Sequence, residues 1–399
     1  MDLIDEYVKL TDVGLSPERY RRWAILATIA TVSDRKVYTS IRRGLVLYPN
    51  LYILLVGKPG CGKTMAIRHA RLLAGTQEEV GLCPNSITHE RFIEMLGERA
   101  KALDTTGSVP KRKATIALLT SEWGTFLRKP DPDTLAMLAD VWDCGDYAAE
   151  TISRKLDLAE NLFVNILSGC TPAWFAEGFP PNAYEQGLPT RILFIYADYE
   201  KANDTPDFEF GNEPVKQEEN LLRRLFPRIS LIAKAQGFWD WDRDAGDALN
   251  SWKHDNYEPI PADPMLVGYA SRRHLQVAKI ALCYALGRHP ETPGIQIEDF
   301  ESAKAVLLDA EPEMNLALAA AGGNVYMIRM EAVANFVTDQ YVRTGKPVPE
   351  WLARQALGKM VPPNMLRITI DELIASQRIK IVHGGAPSPN RKLMPGVRK

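Results

Sequence analysis

The 399-residue chain has almost no net charge: 48 Lys+Arg stand against 50 Asp+Glu, a formal balance of -2. That excludes a whole-molecule field driving it onto nucleic acid or an anionic membrane, so any polyanion site must be a local patch. Long apolar runs are also missing, and none approaches the roughly 20 residues of a spanning helix. The opening MDLIDEYVKL is acidic and has neither the basic start nor the apolar middle of a secretion signal. No membrane partner is expected, and a cytoplasmic location is. Cysteines are few and scattered (Cys61, Cys83, Cys144, Cys170, Cys283), with no C-x-x-C pair. This argues against a disulfide framework or a zinc site and for reduced thiols. The six histidines form no H-E-x-x-H, which argues against a metalloprotease. Internal repeats and low-complexity segments are absent. What remains is an ordinary globular composition, 46% apolar and 25% charged, at a length suited to two or three units.

Four short apolar runs have the length and composition of buried strands: LYILLV (51–56), TIALLT (115–120), LFVNIL (162–167) and ILFIYA (192–197). Continuous rather than alternating apolar residues are expected where helices cover both faces of a parallel sheet. A three-layer α/β core over 45–215 follows. It is preceded by a helical segment, 1–44, in which Ser16-Pro17-Glu18 reads as a helix start with Ser as N-cap and Pro at the first helical position. Residues 201–215 read as an exposed acidic loop. Helical patterns then fill 216–322, Gly322-Gly323 marks a boundary, and 323–399 holds three helical patterns, the strand-like KIVHGG (380–385) and a basic tail.

Directly after the first strand comes Gly57-Lys58-Pro59-Gly60-Cys61-Gly62-Lys63-Thr64, a full G-x-x-x-x-G-K-[ST] match in a strand–loop–helix context. Glycines let backbone N–H groups curl around phosphates without a Cβ clash, and the following helix N-terminus faces the negative charge. The candidate ATP-binding residues are Gly57, Pro59, Gly60, Cys61, Gly62, Lys63 and Thr64. Lys63 is expected on the β/γ-phosphates and the Thr64 hydroxyl on Mg²⁺. TIALLT ends in Ser121-Glu122. Glu122 is the candidate for polarising the attacking water. Ser121 stands where an aspartate is usual, so it could hold a metal-bound water but brings no charge.

The order of these motifs resembles AAA+ ATPases, particularly the MCM-like branch and the P-loop proteins that phages and mobile elements encode beside primases. The resemblance covers about 20–320 and implies an α-helical lid over 216–322. A third strand in that family ends in a polar sensor, and LFVNILSGCTP brings Thr171 there in place of the usual Asn. Leu188-Pro189-Thr190-Arg191-Ile192-Leu193-Phe194 resembles the family's L-x-S-R-F-D element, which puts the arginine finger on Arg191. An always-charged guanidinium suits that role, since it bridges γ-phosphate oxygens as charge redistributes. Ser271-Arg272-Arg273-His274-Leu275 opens a lid helix whose family counterpart carries a second sensor arginine, expected at Arg273, and Ile297-Glu298-Asp299-Phe300 with Ala303 resembles a later lid helix.

Nucleic acid has two candidate sites. Related motors grip the strand backbone from the segment before the sensor strand, which here is DYAAETISRKLDLAENLF (146–163) with Tyr147, Arg154 and Lys155. The C-terminal succession of three helices, strand and tail matches a winged helix. From Lys346 to Lys399 ten basic residues face three acidic ones, a local surplus of seven. Arg378, Lys380, Arg391 and Lys392 are its candidate contacts. The combined expectation is a ring-forming ATPase, a hexamer, that uses ATP and Mg²⁺ on DNA in phage or mobile-element replication, as a helicase with a primase or other replication partner. A helicase loader, an origin-binding initiator and an ATP-gated regulator or defence protein are the alternatives.

Overall fold

The structure, a computed structural model, describes residues 2–12, 16–87, 89–99, 103–104, 111–112, 114–126, 132–151, 154–159, 161–172, 174, 187–197, 214–254, 267–320, 325–357, 363–382 and 391–396. Most of the expected acidic loop at 201–215 and the Gly322-Gly323 pair lie outside them. The chain forms two compact units, Met1–Ala317 and Leu318–Lys399.

In the first unit the chain runs through α1 (Leu3–Leu10), α2 (Glu18–Ser33), β1 (Val37–Arg42), β2 (Leu45–Leu47), β3 (Tyr52–Val56), α3 (Lys63–Ala74) and α4 (His89–Arg99). It continues with β4 (Leu103–Asp104), β5 (Lys111–Arg112), β6 (Ala114–Thr120), α5 (Trp123–Phe126), α6 (Pro132–Val141), β7 (Tyr147–Thr151), β8 (Arg154–Ala159), β9 (Leu162–Cys170) and β10 (Ile192–Tyr196). The helix α7 (Pro214–Lys234), the short β11 (Gly237–Phe238), α8 (Arg243–His254), α9 (Val267–Arg288) and α10 (Ile297–Ala320) complete it. The four apolar runs are β3, β6, β9 and β10. They form one all-parallel sheet in the order β10-β3-β9-β6. Every residue of β3, β9 and β10 is buried, as strands covered on both faces require. A parallel bridge, Leu82 to Ala117, extends the sheet past β6.

α2 is apolar nearly all round, which marks a helix buried within the fold. Residues Trp23 to Ser33 are all buried, and the helix packs against α3, α7 and β9. It starts at Glu18 with Pro17 as N-cap, one position later than the Ser-Pro signal suggests. The 1–44 segment is not wholly helical either, because β1 and β2 close it as an antiparallel pair.

α9 explains why Arg273 departs from its expected role. Tyr269, Arg273, Gln276, Val277 and Ile280 share the i, i+3, i+4, i+7 stripe that this helix buries. Arg273 is 0% exposed and paired through two nitrogens with Glu311 of α10, while Tyr269 donates to the same carboxylate at 2.8 Å and the Trp252 ring lies 5.0 Å from the guanidinium. An arginine committed in this way ties α8, α9 and α10 together and presents no charge to a phosphate.

The second unit consists of α11 (Val325–Thr344), β12 (Val348–Pro349), α12 (Glu350–Leu357), α13 (Pro363–Ala375), β13 (Ile379–Ile381) and β14 (Lys392–Pro395), with an antiparallel sheet in the order β12-β14-β13. Val333, Val337, Leu366, Ile370, Leu373, Ile379 and Leu393 form its core. Here too one expectation is revised. Arg391 is buried, 2.9 Å from Asp371 and 3.5 Å from Glu350, so its charge is used inside the unit. Arg378, Lys380 and Lys392 are exposed.

Removing one partner of a buried pair strands the other charge, at a cost of about 3–5 kcal/mol. Glu311→Leu is therefore expected to lower unfolding stability by that amount in urea titration. Adding Arg273→Met should recover most of the loss. Equal stability of Glu311→Leu and the parent would contradict the buried pair.

Candidate functional site

Parallel strands put all their carboxyl ends on one side, where the loops can converge at a crossover point of the sheet. Next to β3 the chain order switches: β9 lies on one side and β10 on the other. The Gly57–Thr64 loop leaves β3 at that point. Gly60 and Gly62 take left-handed conformations, φ +82° and +81°, and Gly62 caps α3. A Cβ on Gly57 would lie 2.4 Å from the Tyr20 hydroxyl and 2.9 Å from the Ala197 carbonyl, so only glycine fits. Pro59 and Gly60 are exposed, Cys61 is buried, and Thr64 is exposed in the first turn of α3, a turn without acidic residues.

The Lys63 ammonium curls back over the loop, donating to the carbonyls of Gly57 (2.6 Å) and Lys58 (2.8 Å) and lying 3.4 Å from Cys61 Sγ. Beneath the loop, Tyr20 of α2 donates to the Val56 carbonyl at 2.6 Å and lies 3.2 Å from that of Ala197, locking β3 to β10. Burial holds this phenol well above its usual range, so it remains a donor.

β6 ends one strand away, past β9. Ser121 is half-buried and Glu122 exposed. Gly169 of β9 lets the two motifs approach: a Cβ there would lie 2.6 Å from the Ser121 carbonyl and 3.5 Å from Lys63 Cβ. Lys63 and Glu122 both lie within electrostatic reach of Cys170, at the end of β9. Burial raises the Cys170 thiol, Lys63 opposes the rise and Glu122 adds to it. Thr171 follows, its hydroxyl accepting from the Trp174 amide at 3.3 Å. The structure thus brings Gly57–Thr64, Ser121, Glu122 and Thr171 to the same end of the sheet. A cavity of about 900 Å³ opens beside this end, lined by Pro17, Trp23, Tyr196, Ala197, Val306 and Asp309 among others. Neither this cavity nor a larger one of about 1110 Å³, at Thr115 and Phe163, includes a residue of the Gly57–Thr64 loop.

The donor set fits a nucleoside triphosphate with Mg²⁺. Two left-handed glycines open a backbone cradle, the first turn of α3 directs its free amides there, and an ammonium is within it. The Thr64 and Ser121 hydroxyls are hard oxygen donors of the kind Mg²⁺ takes, directly or through water, together with phosphate oxygens.

Arg191 is elsewhere. It precedes β10, and Ile192 pairs with Tyr52 while Tyr196 pairs with Val56, so Arg191 is level with the start of β3 and Gly57 with its end. Six residue steps at ~3.3 Å each separate those levels by roughly 20 Å. Arg191 donates to Asp143 (3.1 Å) and to the Gly187 carbonyl (3.1 Å), beside the Trp142 ring. Lys279 lies 3.8 Å from the centre of that ring and donates to Asn50 at 2.6 Å; burial lowers its pKa to about 8. Arg272 is also at this end, 3.2 Å from Thr190 Oγ1, and its pKa is lowered by burial and then by the Arg191 charge. Sequence reasoning overlooked Arg272 in favour of Arg273, although the helical phase of SRRH against the buried stripe distinguishes them.

Arg154 and Lys155 belong to β8, which forms an antiparallel hairpin with β7 immediately before β9. The 152–153 turn and the side chains of both residues lie outside the described residues. The feet of this hairpin are secured by Arg35, which donates to Asn161 Oδ1 (2.8 Å) and to the Cys144 carbonyl (3.1 Å).

No family model matches this chain, and none of the curated proteins matches it. Among the described residues no helix is long and apolar enough to cross a membrane.

Gly169→Ala tests how tightly the two motifs meet. Its methyl would press on a backbone carbonyl, and overpacking of this kind costs about 1–3 kcal/mol. Lower thermal stability with weaker ATP binding is expected. A variant matching the parent in both would show that the close approach at Gly169 is not needed.

Proposed function

We propose that this chain is an ATP-hydrolysing AAA+ motor that assembles into a ring, a hexamer in our reading, and acts on DNA in phage or mobile-element replication as a helicase. The observation that carries the proposal is the placement of Arg191 at the opposite end of the sheet from Lys63. A finger some three strand-residues or more out of reach of its own loop can complete a pocket only on a neighbouring copy. Arg272, beside it, adds a second positive charge at that end of the sheet.

In this reading the amides of Gly60–Thr64 and the Lys63 ammonium hold the phosphates, and the Thr64 hydroxyl and Ser121 hold the Mg²⁺ shell. Glu122 orients the attacking water, and Thr171 holds it from the next strand. ATP with Mg²⁺ supplies the phosphoanhydride whose cleavage drives the cycle. Arg191 of the adjoining subunit offsets charge as it shifts onto the bridging oxygen. The helices of 216–322 serve as the lid and the second unit as a winged helix, with a helix–strand–helix–helix–strand–strand order supporting the latter. Arg378, Lys380 and Lys392 then hold the DNA backbone from the wing, while Arg154 and Lys155 contact the strand in the channel. A loader or origin-binding initiator shares all these parts but would separate no strands alone.

Lys63→Ala is expected to abolish ATP binding in a fluorescent-nucleotide titration; affinity and turnover at parental levels would defeat the assignment. Arg191→Ala should bind ATP but not hydrolyse it. Mixing Arg191→Ala with Lys63→Ala subunits should partly restore hydrolysis, because each supplies what the other lacks. Failure of the mixture, when both variants assemble, would exclude action in trans.

A further inference from the structure

The Arg191 side chain is only 11% exposed, and its carboxylate partner Asp143 is 59% exposed. Its Nε is buried without an acceptor among the described residues. A guanidinium held in this way cannot reach a second copy until it leaves Asp143. Asp143 is not an arbitrary anchor. It lies in the short link between α6 and the β7–β8 hairpin, next to Trp142, whose ring carries Lys279 on it, and four positions before the hairpin begins at Tyr147.

The link is short and cross-tied. Cys144 and Asn161, one on each side of the hairpin, both take left-handed backbone conformations, φ +58° and +49°, which non-glycine residues rarely adopt. Arg35 binds both, and Asn161 donates its amide to Asp146 at 2.8 Å, while Leu162 donates to the Gly145 carbonyl at 3.1 Å. Displacement of the hairpin therefore pulls on a short, cross-tied segment whose last member before the left-handed turn is the carboxylate holding Arg191.

We infer that the Asp143–Arg191 ion pair is a latch: it sheathes the finger while the hairpin is unloaded and releases it toward the neighbouring subunit's nucleotide when a nucleic-acid strand displaces the hairpin. The inference rests on the trans-acting role of Arg191 proposed above and adds to it a route by which strand binding governs hydrolysis. Asp143 acts as a positioning residue, because it contacts Arg191 and not the reacting atoms. The terminal phosphate of a bound triphosphate carries more charge than one carboxylate and can compete for the same nitrogens. Asp143 is more than half exposed, so the latch is weak enough to open with modest bias.

The test uses the full chain and a saturating single-stranded oligothymidylate. Asp143→Asn retains the shape and removes the charge. It should raise ATP turnover without DNA by about two- to fivefold, the factor that a pair of this exposure is worth, and reduce stimulation by DNA in proportion. Asp143→Glu should restore the parental ratio. Unchanged basal turnover and stimulation in Asp143→Asn, or a loss of both by one factor, would overturn the latch, provided that Arg191→Ala has abolished hydrolysis. If Arg191→Ala hydrolyses ATP like the parent, the finger itself is wrong and the latch falls with it.

Discussion

The polarity of one parallel strand pair governs the functional layout. β3 and β10 run side by side in the same direction, paired from Tyr52–Ile192 to Val56–Tyr196. The glycine loop leaves the far end of one, and Arg191 enters the near end of the other. A slip of one residue in register would move them by only about 3.3 Å, far less than the gap between them. Separation of loop from guanidinium is thus a property of the sheet and not of a flexible arm. In the proposed reading, the pocket that Arg191 completes belongs to a neighbouring copy.

The surrounding elements stiffen both ends of this arrangement. α2 passes across the sheet as a buried helix: Tyr20 near its start fastens Val56 and Ala197 beneath the loop, while Arg35 just past its end clasps the feet of the β7–β8 hairpin. One rigid element therefore touches the phosphate loop, the sheet and the hairpin root. Among the helices beyond α7, the pair between Arg273 and Glu311 performs a similar fastening service inside the layer. Buried charges are expensive to leave unpaired, which fixes how α9 and α10 pack.

Much of this was legible in the sequence where the controlling physics is local. The loop was readable because its glycines and Lys-Thr ending occur directly after an apolar run, and the four sheet strands because burial on both faces leaves an unbroken apolar signature. The three helices of the last 80 residues and the strand after them were visible in their apolar patterns, whereas β12 and β14 are too short to leave one. The losses were tertiary. Arg391 reads as part of a basic tail, yet Glu350 and Asp371, distant in sequence, draw it inward. Arg273 and Arg272 look interchangeable until the buried stripe of α9 is laid against α10. Asp143 and Tyr20 carry no motif at all; only the meeting of α6 with β10, or of α2 with β3, gives them meaning.

The central claim is that one pocket is divided between two copies of the chain. Its most direct measurement is ATP turnover per chain as the protein is diluted, with particle mass followed by light scattering on the same samples. The account predicts turnover per chain that falls on dilution in step with the loss of assemblies, while nucleotide affinity per chain changes little. Constant turnover per chain in samples that scatter as single subunits would contradict it.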